Sequence, residues 1–575
     1  MFKRIVCAKL SVLILALHMP FFAFASEDSG SVELSEDSVE SLYVLAKVWG
    51  FLKYHHPSVI AGCREWDSEL LELMPEVLEL PASKAKERIY HWVRQLNSVD
   101  NTEGCSTNGG ASASPRTRSW LTDKQFLGAR LSEELVSHAN VSEKISRQHY
   151  VVAQPGVGNA VFNNEGDYSS SSSIDWELRL LGLFRFWNIV EYWAPYRELI
   201  GNDFDKALIE FIPLFYDAEA PAMYENALMR LAARIEDGHT NVWSLVQSAR
   251  PPTGEAISPF AIRFIGDTPT VWRTLPFDEQ ALHEGESLGL KVGDEILAVD
   301  NVAVEQLVAR WAPYYGVSNE VSLRLQIAQR LLRGAEGAYE ITVSRGGSRV
   351  DVTDYRLPYT KVDWRPAFSH DLAGEAVQFL EGGIPYLKPS ALEAEQLTSV
   401  IEAAIEYGGL IIDLRGYPKS FIVFSLGQHL VDKPTPFARF TVPDISTPGT
   451  YRWTDPLILN PVKPTIRGGV AILVDETTMS QAEYTAMAFR VAERAAVIGS
   501  QTAGADGNVS QITFPGGHSA AISGIGVFYP DKSPTQQVGI RPDIEVRLSL
   551  EAILQGVDPV LDAAIKYVQL NRAID

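Results

Sequence analysis

The stretch from Gly469 to Gly504, GVAILVDETTMSQAEYTAMAFRVAERAAVIGSQTAG, limits the folds open to this chain more than any other. An apolar run reads as a buried strand, short polar residues break it, and a helical stretch follows. Ile384–Leu387, Gly409–Leu414 and Ala496–Ile498 read as further strands, while Ala391–Glu406, Gln481–Ala495 and Pro559–Gln569 read as helices. Strands that alternate with helices predict an α/β core over 354–575, with a later hairpin at Val509–Thr513 and Ser519–Tyr529. Ser480 stands at the mouth of the helix that follows the central strand. A hydroxyl there is exposed, and the backbone N–H groups around it belong to a first helical turn that has no internal partners.

A chain of 575 residues exceeds one comfortable hydrophobic core and predicts several domains. Its formal charge of -22 argues against a nucleic-acid or anionic-membrane partner, since both select basic surfaces. Residues 1–25 read as a secretory signal: Lys3 and Arg4 open it, Leu10–Phe24 is mostly apolar, and Ala23-Phe24-Ala25 offers a cleavage site. The apolar run falls short of the roughly 20 residues that span a bilayer, so no stable membrane anchor is expected. A soluble periplasmic or secreted product follows. Cys63 and Cys105 are the cysteines left after cleavage; an oxidising compartment permits a bridge between them, and two buried thiols are the alternative.

The N-terminal half repeats itself. Leu45–Pro57 aligns without a gap on Leu183–Pro195, an offset of 138 positions that carries Trp49 onto Trp187 and Asp67 onto Asp205. Each copy has a helical apolar face, ends at a proline and precedes another helix, Trp66–Leu78 or Phe204–Phe215. Trp49, Tyr54, Trp187 and Tyr192 are therefore read first as core residues. Farther on, residues 257–353 combine short strands, a turn at Gly289–Asp294 and two helices, which predicts a small, partly open β-rich module able to accept an added strand. The resulting division is 1–25, a mainly helical 26–170, a helical 171–256, the module 257–353 and the core 354–575.

Ser480 is the candidate nucleophile, with helix capping as the bland alternative. The Gln481 N–H is one candidate oxyanion donor, and Gly416, after the strand in Ile411-Ile412-Asp413-Leu414-Arg415-Gly416, is the other. A base must come from elsewhere. His518 reads as a hairpin residue, whereas His239 follows a helix end at an Asp-Gly turn and could accept and return the serine proton. No Cys/His/carboxylate cluster has ligand spacing, so neither a metal nor another cofactor is expected.

These segments together resemble the C-terminal-processing and tricorn-type serine peptidases of family S41. The matching pieces are Glu236-Asp-Gly-His-Thr240, the turn and strand at Gly289–Asp300, Asp413-Leu-Arg-Gly416, Thr478-Met-Ser-Gln-Ala-Glu483, Gly499-Ser-Gln-Thr-Ala-Gly504 and Gly539-Ile-Arg-Pro-Asp-Ile-Glu545. The resemblance implies a multidomain α/β protein: a helical N-terminal region with its repeat, an inserted PDZ-like domain, and a peptidase core of the ClpP/crotonase-like type. It also implies peptide or protein substrates. Many relatives pair the serine with a lysine 25 positions later, where this chain has Ala505. The tricorn branch uses serine and histidine, which predicts a Ser480 acyl-enzyme, His239 as base, and Gly416 and Gln481 as the oxyanion hole. Gln536 or Gln537 falls where tricorn peptidase carries the glutamate that orients its histidine; Asp237 and Glu483 are the alternatives, Glu483 more as a support of the helix N-terminus. The Gly289-Leu290 segment is expected to stand in for a carboxylate-binding loop. Rival readings are an inactive binder of peptides or small apolar ligands and an envelope adaptor, and the helical repeats offer a cap or a homo-oligomer surface.

Overall fold

The computed structural model describes residues 34–96, 110–139, 145, 147–170, 174–201, 203–244 and 249–573. The expected signal segment 1–25 and Cys105 lie outside the described residues. Cys63 is disulfide-bonded.

The N-terminal region is helical. Ser35 caps the Glu36–His55 helix by accepting the Ser38 N–H at 3.1 Å, and Glu36 and Asp37 complement the exposed donors of its first turn. From Val44 onward this helix is buried all round, so it runs through the middle of the region rather than along its surface. The two repeated motifs make the same contact: the Trp49 indole donates to the Trp66 carbonyl at 3.2 Å, and the Trp187 indole to the Phe204 carbonyl at 2.9 Å. The helices also cross closely. A Cβ at Gly50 would lie 1.8 Å from Asn188 Oδ1, and Asn188 Nδ2 donates to the Ala46 carbonyl at 3.0 Å.

Buried charges lock this region. Lys53 Nζ lies 2.8 Å from Glu165, while Arg185 reaches Glu165 at 2.8 Å and Asp67 at 2.7 Å. Lys53 and Arg185 have no exposed side-chain surface, so each cation depends on these carboxylates instead of water.

The same hydrophobic core includes Ile512, Phe514, Ala520 and Ile522, from a hairpin far along the chain. That hairpin, Val509–Phe514 with His518–Ser523, adds Val242–Trp243 as a third strand through Ser519↔Trp243 and Ala520↔Val242. Residues 237–243 are thereby pinned beside the C-terminal core.

Between them, an eight-stranded sheet occupies 256–358 with its own core around Phe260, Ile296, Leu307, Ile341 and Val343. Its strands pair antiparallel, and the Val304–Trp311 and Glu320–Ala328 helices accompany it. The last region carries a six-stranded sheet in the order Val377–Leu380, Ile384–Leu387, Leu410–Asp413, Val470–Val474, Ala495–Gly499 and Ile544–Glu545. All neighbours after the first pair run parallel. The central strands are buried on both faces, which explains their continuous apolar sequences.

Two helices differ from expectation. The one after Ser480 stops at Phe489, because Ala495–Gly499 is required as a strand beside Val470–Val474. Leu397–Tyr407 starts late, after Pro389 and two short 3-10 turns. Among the described residues, no helix is long and apolar enough to cross a membrane.

Replacing Arg185 with leucine should leave Asp67 and Glu165 under-compensated in the helical core. Urea denaturation is expected to show a loss of about 3–5 kcal/mol; an unchanged midpoint would mean that Lys53 alone suffices.

Candidate active site

Ser480 and Gly416 leave the carboxyl ends of adjacent parallel strands, whose register pairs Ile412 with Ile472 and Asp413 with Leu473. Such ends open a crevice between neighbouring loops. The polar turn between strand and serine is tightly fixed. Asp475 accepts from the Thr477 N–H at 2.9 Å and its hydroxyl at 2.7 Å, and the Thr478 hydroxyl donates to the Leu414 carbonyl at 2.9 Å. Ser480 itself has φ 55° and ψ -119°, a backbone region that costs a non-glycine residue about 1–3 kcal/mol. Its N–H points to the Ala505 carbonyl at 2.9 Å and to Glu483 Oε2 at 3.2 Å.

Glu483, one helical turn on, is wholly buried. Its carboxylate accepts from the Thr502 hydroxyl, from the Gly504 N–H at 2.8 Å, from the Ala505 N–H at 3.0 Å, and from Ser480. It fastens residues 502–505 to the start of the helix. Beside it, Asp506 is buried, and burial together with Glu483 drives its carboxyl well above the usual range.

Gly416 is glycine for space: a Cβ would fall 2.6 Å from Asp371 Oδ2 and 2.7 Å from Ser369 Oγ. Arg415 turns away to pair with Asp413 at 2.7 Å and Asp558 at 2.8 Å. The Gln481 side chain donates to the Ser420 carbonyl at 3.2 Å, tying the loop after Gly416 to the serine helix.

His239 arrives from the helical side. The Gly238 N–H donates to Ser318 Oγ at 2.7 Å, and a Cβ there would approach Ala505 Cβ to 2.8 Å. His239 Nδ1 meets Ser523 Oγ at 2.9 Å and lies 3.7 Å from Asp237. Ser523 donates in turn to Asp237, through its N–H at 2.6 Å and its hydroxyl at 3.0 Å. Burial lowers the imidazole's pKa, while Asp237 pulls it back up. Of the two glutamines, Gln536 donates to Asp237 at 3.2 Å, whereas Gln537 turns to Glu236 at 3.1 Å. Ser523, Ser318 and Thr502 were not singled out in the sequence, because serines and threonines in loops and strands carry no local signal of a distant partner.

Two further groupings also depend on folding. His370, Asp475 and Glu476 bring ligand-type atoms within 4.8 Å of one another, but Arg263 from the 256–358 sheet bridges both carboxylates at 3.0 and 2.8 Å. A guanidinium in that place opposes a second cation. The expected carboxylate-binding role of Gly289-Leu290 is corrected as well: their N–H groups already donate to Asp354 at 2.9 and 3.4 Å.

Burial raises the Glu483 carboxyl from 4.5 to about 7, against the four hydrogen bonds that favour its ionised form. The folded state therefore binds this proton more tightly than the unfolded state. Its contribution to stability is fully present below about pH 4.5 and is lost as pH rises through about 7. Glu483→Gln should flatten that part of the pH profile. Because an amide N–H₂ cannot accept, the variant should also lose about 1–3 kcal/mol at pH 7. Urea denaturation across this range measures both effects, and parallel wild-type and variant profiles would refute the titration.

Residues 432–546 match the model of Peptidase family S41. The structure of mature CPAF complexed with lactacystin aligns at TM-score 0.52 and 14% identity, covering 69% of this chain and 98% of that one. A structure of mature CPAF aligns at 0.51 and 13%, covering 70% and 99%. No curated protein sequence matches the chain. The family finding corrects the expected chemistry in which His239 deprotonates Ser480, because S41/CPAF peptidases characteristically use a serine–lysine dyad. In the structure Nδ1 of His239 is held by Ser523. The segment that carries the strand-to-helix serine is thus similar to Peptidase family S41, and the chain shares its fold with mature CPAF.

Proposed function

We propose that this protein is exported and hydrolyses peptide bonds in peptide or protein substrates, with Ser480 as the nucleophile and the Gly416 and Gln481 N–H groups as oxyanion donors. The observation that carries this reading is the Ser480 backbone, held at φ 55° where a relaxed serine would not sit. Ser480 also caps the following helix, in a capping box with Glu483, but a cap needs no such conformation, since cap residues adopt ordinary extended angles. The fixed Asp475–Thr478 turn and the Glu483 clasp supply the surrounding order that keeps a strained residue in place. Donors anchored in this way need little rearrangement when charge develops on a carbonyl oxygen.

His239, Asp237, Ser523 and Gln536 form a buried polar brace between the helical region and the 509–523 hairpin. No proton transfer from Ser480 is assigned to it. Glu483 and Gln537 act through the backbone around the site and through Glu236, respectively.

In the same reading, residues 26–170 form a mainly helical domain, 171–256 a helical segment of the peptidase or cap region, 257–353 a PDZ-like domain and 354–575 a ClpP/crotonase-like core. The separate core of the 256–358 sheet and the parallel order of the last sheet support these divisions. Arg263 links the module to Asp475 and Glu476, just ahead of the nucleophile. Export to the periplasm or beyond is supported by the N-terminal sequence and by the bonded state of Cys63.

A fluorophosphonate probe should label the wild-type protein covalently, and Ser480→Ala should abolish labelling while leaving the thermal midpoint the same or higher. Peptide mapping by mass spectrometry would locate the adduct. An adduct elsewhere, or none under conditions of peptide turnover, would overturn the assignment of Ser480.

A further inference from the structure

Beside the proposed nucleophile the protein exposes aromatic surface that its fold does not require. Tyr417 is 58% exposed, Phe421 55% and Phe424 40%. Single exposed apolar residues are commonplace, but these three belong to one short loop and the helix start that follows it. Phe421 and Phe424 lie 6.1 Å apart between ring centroids, and Phe421 stacks on Tyr484 at 6.2 Å and 16°. Beneath them Phe437 and Phe440 approach Tyr484 at 5.4 and 5.9 Å. The floor of the patch is thus rigid and packed, while its upper rings face solvent.

Its position selects the occupant. Tyr484 follows Ser480 by one helical turn on the same face, and its N–H donates to the Ser480 carbonyl at 2.9 Å. The Gln481 amide ties the loop at Ser420 to the same helix. One helical turn advances about 5.4 Å, and an extended peptide advances about 3.3 Å per residue. The rings therefore stand within one or two residues' reach along a peptide whose carbonyl lies at Ser480.

We propose that Phe421, Phe424 and Tyr484 form a subsite for a bulky apolar or aromatic side chain next to the scissile bond, so that the substrates are peptides bearing such residues. This rests on the reading of Ser480 as a peptidase nucleophile. The ring faces receive the side chain by apolar burial and offset stacking, and the short link through Gln481 fixes its distance from the serine. Lys419, the charged residue of this loop, is paired with Glu393 and contributes no competing charge recognition.

The test is a peptide library varied on both sides of a central bond, with cleavage sites mapped by mass spectrometry and kcat/KM then measured for matched aromatic and alanine peptides. Wild type should favour the aromatic peptide by about tenfold or more. The Phe421→Ala/Phe424→Ala double variant should collapse that ratio towards one, and Phe421→Leu/Phe424→Leu should restore most of it. Fluorophosphonate labelling of wild type separates the two levels of failure. Labelling and cleavage without an aromatic preference overturn the subsite and leave the nucleophile standing. Neither labelling nor cleavage overturns the nucleophile, and the subsite with it. A ratio that survives the alanine changes while sedimentation shows loss of self-association assigns the patch to contact between copies, and refutes the proposal.

Discussion

A single carboxylate removed from water organises the candidate catalytic centre. Glu483 gathers Thr502, Gly504, Ala505 and Ser480 onto its two oxygens, so the segment after the Ala495–Gly499 strand cannot shift without disturbing the peptide of Ser480. Burial outweighs those hydrogen bonds and raises the carboxyl to about 7, so the acid keeps its proton more readily than it would in water. The arrangement thus holds a readily protonated carboxyl in a place without solvent. It also makes the serine's geometry a property of two strands and a helix acting together, rather than of one turn.

The wider architecture secures the approach to this centre from the opposite side. The hairpin at 509–523 contributes Ile512 and Phe514 to the helical core and Ser523 to the Asp237–His239 brace. Moving the N-terminal helices would therefore disturb both apolar packing and buried hydrogen bonds next to the catalytic face. Arg263 makes a second connection from the intervening sheet to the turn before Ser480. The centre is braced by side chains from three regions of the chain.

Much of this frame was legible in the amino-acid order. Ile384–Leu387 and Val470–Val474 stand out because strands buried on both faces must be apolar at successive positions, and the Trp66–Leu78 helix because its apolar period is regular. Legibility ended where tertiary demand overrode local propensity: the alanine-rich run after Phe489 looks helical, yet the sheet recruits Ala495–Gly499. Likewise, the motif containing His239 was visible, but its partner Ser523 lies 284 positions away. Proximity of that kind leaves no spacing to recognise. Motif order indicates which segments converge, and the partner of each imidazole nitrogen is decided only by what surrounds it.

The left-handed torsion at Ser480 sets a tension between folding and reactivity. Glycine would occupy that angle without steric penalty, so this position is one where a more robust protein is a single substitution away and is chemically silent. Selection for durability alone would drive the hydroxyl out. Glycine would, however, give up the capping box that the serine side chain forms with Glu483, so the alcohol has a structural use alongside its strain.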